Sequence, residues 1–125
     1  MTTKEAAALL DEIELALESR DAAAAIRYYH DDVIYFGPAV VGPIKGATAL
    51  RAVFETHFVG SQRTVSAFKD IAVRELGAGT FLVSCQVEAV QTILLSTRRF
   101  RGHLSRVFVP GPNHPLIILE HFTLA

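Results

Sequence analysis

Apolar residues recur at helical spacing in the first part of the chain and alternate at strand spacing in the rest. Behind Thr3-Lys4-Glu5, a plausible helix start, come Ala6, Leu9, Leu10, Ile13 and Leu17 at helical intervals. Acidic Asp11, Glu12, Glu14 and Glu18 occupy the other side, which predicts a helix with one wet face and one buried face. Asp21 is placed to cap a second, shorter helix from Ala22 to about His30, burying Ile26 and an aromatic side at Tyr28 or Tyr29. Val33-Ile34-Tyr35-Phe36 reads as a short strand that ends at Gly37-Pro38, a strong breaker. Gly42 to Gly46 reads as a brief extended piece and a turn. Leu50, Val53, Phe54 and Phe58 then mark a third helix from Ala47 to about His57.

From residue 64 the pattern changes. Val65–Leu76, Thr80–Ile93, Arg98–Val109 and Leu116–Leu124 are rich in β-branched and aromatic residues. Turn signals separate them at Gly77-Ala78-Gly79, around Ser96, and at Pro110-Gly111-Pro112-Asn113. Short connections between long consecutive strands imply an antiparallel meander. Helices first and strands afterwards is an α+β order in one domain spanning residues 1–125.

Alternation then assigns faces. Phe81, Val83, Cys85, Val87 and Ala89 form one apolar row. On the next strand Phe100, Gly102, Leu104 and Phe108 share a face with Arg106. An arginine alone on an apolar strand face is the most informative residue of the sequence. Both sides of the last strand are mostly apolar, which predicts a central strand covered on each side. Arg106 and His121 share a face only if paired residue numbers across this hairpin sum to an odd total. A six-residue connection, 110 to 115, gives that parity by pairing Val109 with Leu116.

Composition adds a destination for apolar surface. Hydrophobic residues make up 50% and charged residues 20% of 125, which excludes disorder. Mean hydropathy is +0.31 without an apolar run of membrane-span length, so the surplus lines a cavity or covers a subunit interface. A net charge of −1 provides no global attraction to nucleic acid or anionic membranes, and neither is expected as a partner. The triple arginine of Arg98-Arg99-Phe100-Arg101 reads as a solvated strand edge. One cysteine, Cys85, rules out an intrachain disulfide. Residues 1–5 lack the basic-then-apolar layout of a signal peptide, so the cytoplasm is the expected location. Five scattered histidines, no HExxH and no paired cysteines predict no metal, and no cofactor-binding loop is present.

Three stretches carry a family resemblance. They are Tyr29-His30-Asp31-Asp32-Val33 followed by Gly42 to Gly46 and a helix; Gly102 to Phe108; and Ile118-Leu119-Glu120-His121-Phe122-Thr123. Their order resembles the nuclear-transport-factor-2-like superfamily, in its SnoaL-like and ketosteroid-isomerase-like branch. The closing His-Phe-Thr is also similar to the association domain of calcium/calmodulin-dependent kinase II. The resemblance implies a cystatin-like cone: three N-terminal helices packed on a curved, mainly antiparallel sheet that encloses a pocket. It also implies a homodimer through the outer sheet face. The tryptophan that usually opens the closing strand is absent, and His114-Pro115-Leu116 stands there. The carboxylate, tyrosine and protonated acid of steroid isomerisation have no residue-by-residue counterpart, so isomerase or cyclase activity is implied by fold alone.

Candidate chemistry follows, each residue with two readings. Arg106 suits a ligand carboxylate or enolate, or a structural ion pair with a buried acid such as Asp32 or Glu120. His121 suits general acid–base work, or a core histidine held by a hydroxyl or carbonyl. Asp32 is the best-placed carboxylate for proton transfer, or a turn and capping residue after the second helix. Tyr29 and Tyr35 can offer hydroxyls or simply pack, with Phe54, Phe58, Cys85, Leu104 and Thr123 completing the expected lining. His57 reads as a helix C-terminal cation and Cys85 as an inert small hydrophobe. The expected function is binding of a small apolar or carboxylate-bearing molecule, with cofactor-free proton transfer on a carbon acid as the chemistry if it is an enzyme. The alternative is a non-catalytic homo-oligomeric assembly or ligand-sensing module.

Overall fold

A computed structural model describes residues 1–38, 40–59 and 63–125. Helix α1 (Thr3–Glu18) starts one residue after its cap, Thr2, whose hydroxyl accepts the Glu5 N–H while the Glu5 carboxylate accepts the Thr2 N–H. Ala6, Leu10 and Ile13 form its buried stripe. Asp21 caps α2 (Ala22–Ile26) by accepting from the backbone N–H groups of Ala23 and Ala24. The helix stops four residues short of the expected end because the next residues are claimed by the sheet. Strand β1 (Tyr29–Phe36) pairs Tyr29 with Ile117, whose N–H donates to the Tyr28 carbonyl at 2.8 Å.

After β2 (Ile44–Lys45) comes α3 (Ala47–Phe58), with Leu50 and Phe54 buried. The third helix thus follows two strands and does not precede the whole sheet. Four long strands complete the chain: β3 (Arg63–Gly77), β4 (Thr80–Ile93), β5 (Ser96–Val109) and β6 (Leu116–Leu124). Two-residue turns join β3 to β4 and β4 to β5; Gly79 takes the left-handed φ of +73° that the first requires.

The six strands form one open mixed sheet in the order β2-β1-β6-β5-β4-β3. Only β1 and β6 run parallel; the other described pairs are antiparallel. Strand β6 is central, as its two apolar faces predict. The helices lie against one face, α1 across β3 and α3 across β1. Between them Val83, Val87, Leu104, Phe108 and Ile117 meet Leu10, Ile13, Val33, Leu50 and Phe54 in a single core.

One irregularity decides the site. Val109 does pair with Leu116 across the 110–115 connection, but Val107 pairs with Leu119 while Phe108 pairs with Ile117. Ile118 is therefore an extra residue on β6, a bulge that inverts the register parity beyond it. Arg106 consequently faces Glu120, and His121 faces Ser105 on the opposite side of the sheet.

Candidate functional site

Arg106 stands in the middle of β5 between Leu104 and Phe108 on the covered face, with Val83 beside it on β4 and Glu120 beside it on β6. It is 3% exposed and Glu120 is 5% exposed. Arg106 Nε donates to Glu120 Oε1 at 2.7 Å, and the Tyr29 hydroxyl donates to the same oxygen at 2.8 Å. Two charges at this depth are tolerable only when paired and hydrogen-bonded, and the triad supplies both conditions. Burial works against the guanidinium charge, but the Glu120 carboxylate together with Tyr29 and Glu14 outweighs it and holds Arg106 protonated above its ordinary range. Burial, reinforced by the Glu120 charge, pushes the Tyr29 hydroxyl well above a normal phenol, so it stays a donor. Arg106 Nη1 is buried and finds no hydrogen-bond partner among the described residues. The Nη1 end of the fork is uncommitted.

The triad borders a cleft of about 380 Å³ between α1, the end of α3 and the inner face of β3 to β6. Arg106 and Glu120 form part of its lining; Leu17, Phe58, Phe68, Leu104 and Phe122 supply apolar wall, and Tyr35 adds a hydroxyl. The cleft is open to solvent on one side rather than enclosed. Gly102 makes room for the wall, since a Cβ there would stand 2.8 Å from the Phe122 ring. Burial, then the Glu120 charge, raises the Tyr35 hydroxyl above its normal range, which keeps it protonated too.

The structure brings only part of the expected set to this cleft. Arg106, Tyr35, Phe58 and Leu104 line it. Tyr29 and Phe54 lie in the core behind it, their rings edge to face at 5.6 Å, and Cys85 is buried beside Leu104. Burial pushes the Cys85 thiol up to about 11, which fits an inert hydrophobe. Three placements are corrected. Asp32 is exposed within β1, its backbone N–H donating to His30 Nδ1, because the strand starts at Tyr29 and leaves no turn there to cap. His121 is exposed on the outer sheet face, its ring 5.6 Å from that of Phe36, because of the Ile118 bulge. Thr123 pairs with His103 on the same outer side and is exposed.

Two acids take their places. Glu120 is the partner of Arg106, one of the two acids proposed for that role from sequence. Glu14 was assigned to the wet face of α1, yet it lines the cleft and its Oε1 accepts the Ser66 N–H at 3.1 Å. The signal was present: Glu14 lies four residues after Leu10 and three before Leu17, inside the apolar stripe. Among the described residues no cluster of His, Cys, Asp or Glu is arranged to hold a metal, and no helix is long and apolar enough to cross a membrane.

An open mixed sheet with helices on one face, and a cleft floored by charged groups between them, defines an α+β domain of the cystatin-like kind. Residues 10–108, from α1 to the end of β5, match the SnoaL-like domain family, and the chain belongs to it within the nuclear-transport-factor-2-like superfamily. No curated protein matches the chain. Solved structures do. ActVI-ORFA from Streptomyces coelicolor shares 16% identity over 98% of both chains, with a TM-score of 0.82. A candidate calcium/calmodulin-dependent protein kinase II association domain from Xanthomonas campestris shares 17% over 97% of this chain and 86% of its own, at 0.84. A nuclear transport factor 2-like superfamily protein from Salmonella enterica shares 12% over 98% and 89%, at 0.82. At these identities the likeness is one of fold.

Proposed function

We propose that the cleft binds a small, largely apolar molecule whose carbonyl or carboxylate oxygen is directed at Arg106. The observation that carries this reading is a buried guanidinium, fixed through Nε by Glu120, whose Nη1 has no partner in the described structure. A fixed cation in a water-poor wall favours an oxygen that gains negative charge far more than it would in bulk water. The Tyr35 hydroxyl, on the same lining, is a second donor for that oxygen. If the protein is an enzyme, the reaction is cofactor-free proton transfer on a carbon acid, an isomerase or cyclase step with Arg106 stabilising the enolate. We further propose that two copies pair through the outer sheet face, where Ile34 is exposed and Leu82, Val107 and Leu119 are half-buried; sedimentation would show a dimer.

A thermal-shift panel of small carboxylates, phenols, steroids and polyketide-like lactones tests the binding reading. A ligand present at a hundred times its Kd stabilises the folded state by ~2.7 kcal/mol, an easily read shift. The control removes both charges together, Arg106→Leu with Glu120→Leu, so that the fold is not left with a stranded ion. Stabilisation of the wild type alone supports the reading. No shift from any class favours a non-catalytic assembly module instead.

A further inference from the structure

We propose that Glu14 is the group that takes and returns the proton in this cleft, an assignment that rests on the proton-transfer reading above. Asp32 and His121 lie on exposed surfaces, and His57 at the cleft's edge is exposed with no side-chain hydrogen bond among the described residues, so the proton carrier is sought among the acids of the lining: Glu14, Glu18 and Glu120. Glu120 is spent on the ion pair, its Oε1 receiving both Arg106 and Tyr29. Glu18 ends α1 with no side-chain hydrogen bond among the described residues, so nothing fixes its position. Glu14 differs from both. It is half-buried, pinned across α1 and β3 by the Ser66 N–H, and carries no salt bridge among the described residues. A carboxylate held in place by one neutral donor keeps lone pairs for a substrate proton.

The surroundings tune it for the task. Burial is the largest influence and pushes the Glu14 carboxyl up to about 7, with the Glu18 charge adding to it. The Ser66 N–H and the Arg106 charge pull back in the other direction. Arg20, His57 and Arg63 face the same cleft from the end of α1, from α3 and from β3, while Tyr35 and Glu120 face it from β1 and β6. A base balanced near neutral pH can both accept and deliver a proton efficiently.

The step needs no further reactant. Glu14 takes the proton from a carbon next to a carbonyl. The C–H electron pair becomes the enolate double bond, and the carbonyl π pair moves onto oxygen, opposite Arg106. Glu14 then returns the same proton to another carbon of the enolate, which restores both the carbonyl and the carboxylate.

The test uses 5-nitro-1,2-benzisoxazole as the probe. A base removes its ring C–H proton, the electron pair closes a nitrile, and the N–O bond breaks to release a coloured phenolate. Wild type should exceed an equal concentration of free acetate by ~100-fold, with a rate that rises through a midpoint near neutral pH. Glu14→Gln keeps an oxygen for the Ser66 N–H and should lose that advantage, while Glu12→Gln, exposed on α1 away from the cleft, should keep it. Independently of turnover, carbon-13 NMR of the Glu14 carboxyl should titrate near 7. The assignment is overturned if Glu14→Gln matches the wild type, if the wild type is no faster than acetate, or if the carboxyl titrates in the ordinary range. Failure here with a ligand found in the thermal-shift panel removes Glu14 and leaves the binding site standing. Failure of both removes the proton-transfer reading itself.

Discussion

Replacing Glu120 by alanine strands the Arg106 guanidinium at 3% exposure without its anion, and leaves the buried Tyr29 hydroxyl without its acceptor. Removing one partner of a buried pair costs ~3–5 kcal/mol, because the remaining ion keeps its desolvation penalty and loses its compensation. With ~2.1 cal/mol/K of unfolding entropy per residue, this chain of 125 residues has ~260 cal/mol/K, so a loss of ~4 kcal/mol lowers Tm by ~15 °C. Removing both charges, Arg106→Met with Glu120→Leu, should cost only ~1 kcal/mol, since well-packed apolar groups replace a pair that barely repays its own burial. Relieving the stranded charge should therefore recover ~3 of the ~4 kcal/mol lost by the single substitution. Urea unfolding followed by circular dichroism measures the wild type, the single and the double variant, with Tm as a second reading. A Glu120→Ala variant within ~1 kcal/mol of wild type would refute the reasoning. So would a double variant as unstable as the single one, because the cost would then come from packing and not from a stranded charge.

Glu14 makes stability depend on pH. Its folded pKa, about 7, lies above the ordinary value of 4.5 for a glutamate carboxyl, so native protonation stabilises the fold fully below 4.5 and that contribution is lost as pH rises through 7. At ~1.4 kcal/mol per unit the difference would approach ~3 kcal/mol, and partial solvent access reduces it to about 2. Wild type should therefore lose ~2 kcal/mol between pH 5 and 8 relative to Glu14→Gln in parallel urea titrations, and parallel curves would count against the buried position. Deleting Ile118 removes the extra residue but leaves Phe108–Ile117, Val107–Leu119 and Arg106–Glu120 as successive pairs, so Glu120 should stay inside and the variant should still unfold cooperatively, with a loss of about 1–3 kcal/mol by circular dichroism; loss of cooperative unfolding would place the extra residue elsewhere. The Cys85 thiol, raised to about 11 by burial, should react with a chromogenic disulfide at least ~100-fold more slowly in the native protein than in urea; equal rates would place it at the surface.

What the sequence by itself determined was local. Apolar spacing placed α1 and α3, Asp21 announced α2, and alternation placed β4 and β6 with the bounds the structure has. The face of Arg106 was legible too, because its neighbours at every second position along β5 are apolar. Tertiary structure decided the rest. Residues 29–32 continue a helical pattern or begin a strand with similar ease, and only pairing with β6, far along the chain, ended α2 at Ile26. The Val109–Leu116 pairing was legible from loop length, but the Ile118 bulge was not, since an extra residue in a strand apolar on both faces leaves the pattern unchanged. That single residue put Glu120 under Arg106 and His121 outside. Glu14 looked like one more charge on a wet helix, and became a half-buried acid when β3 was laid across α1. Period and propensity are properties of neighbouring residues; register and desolvation depend on what the rest of the chain brings alongside.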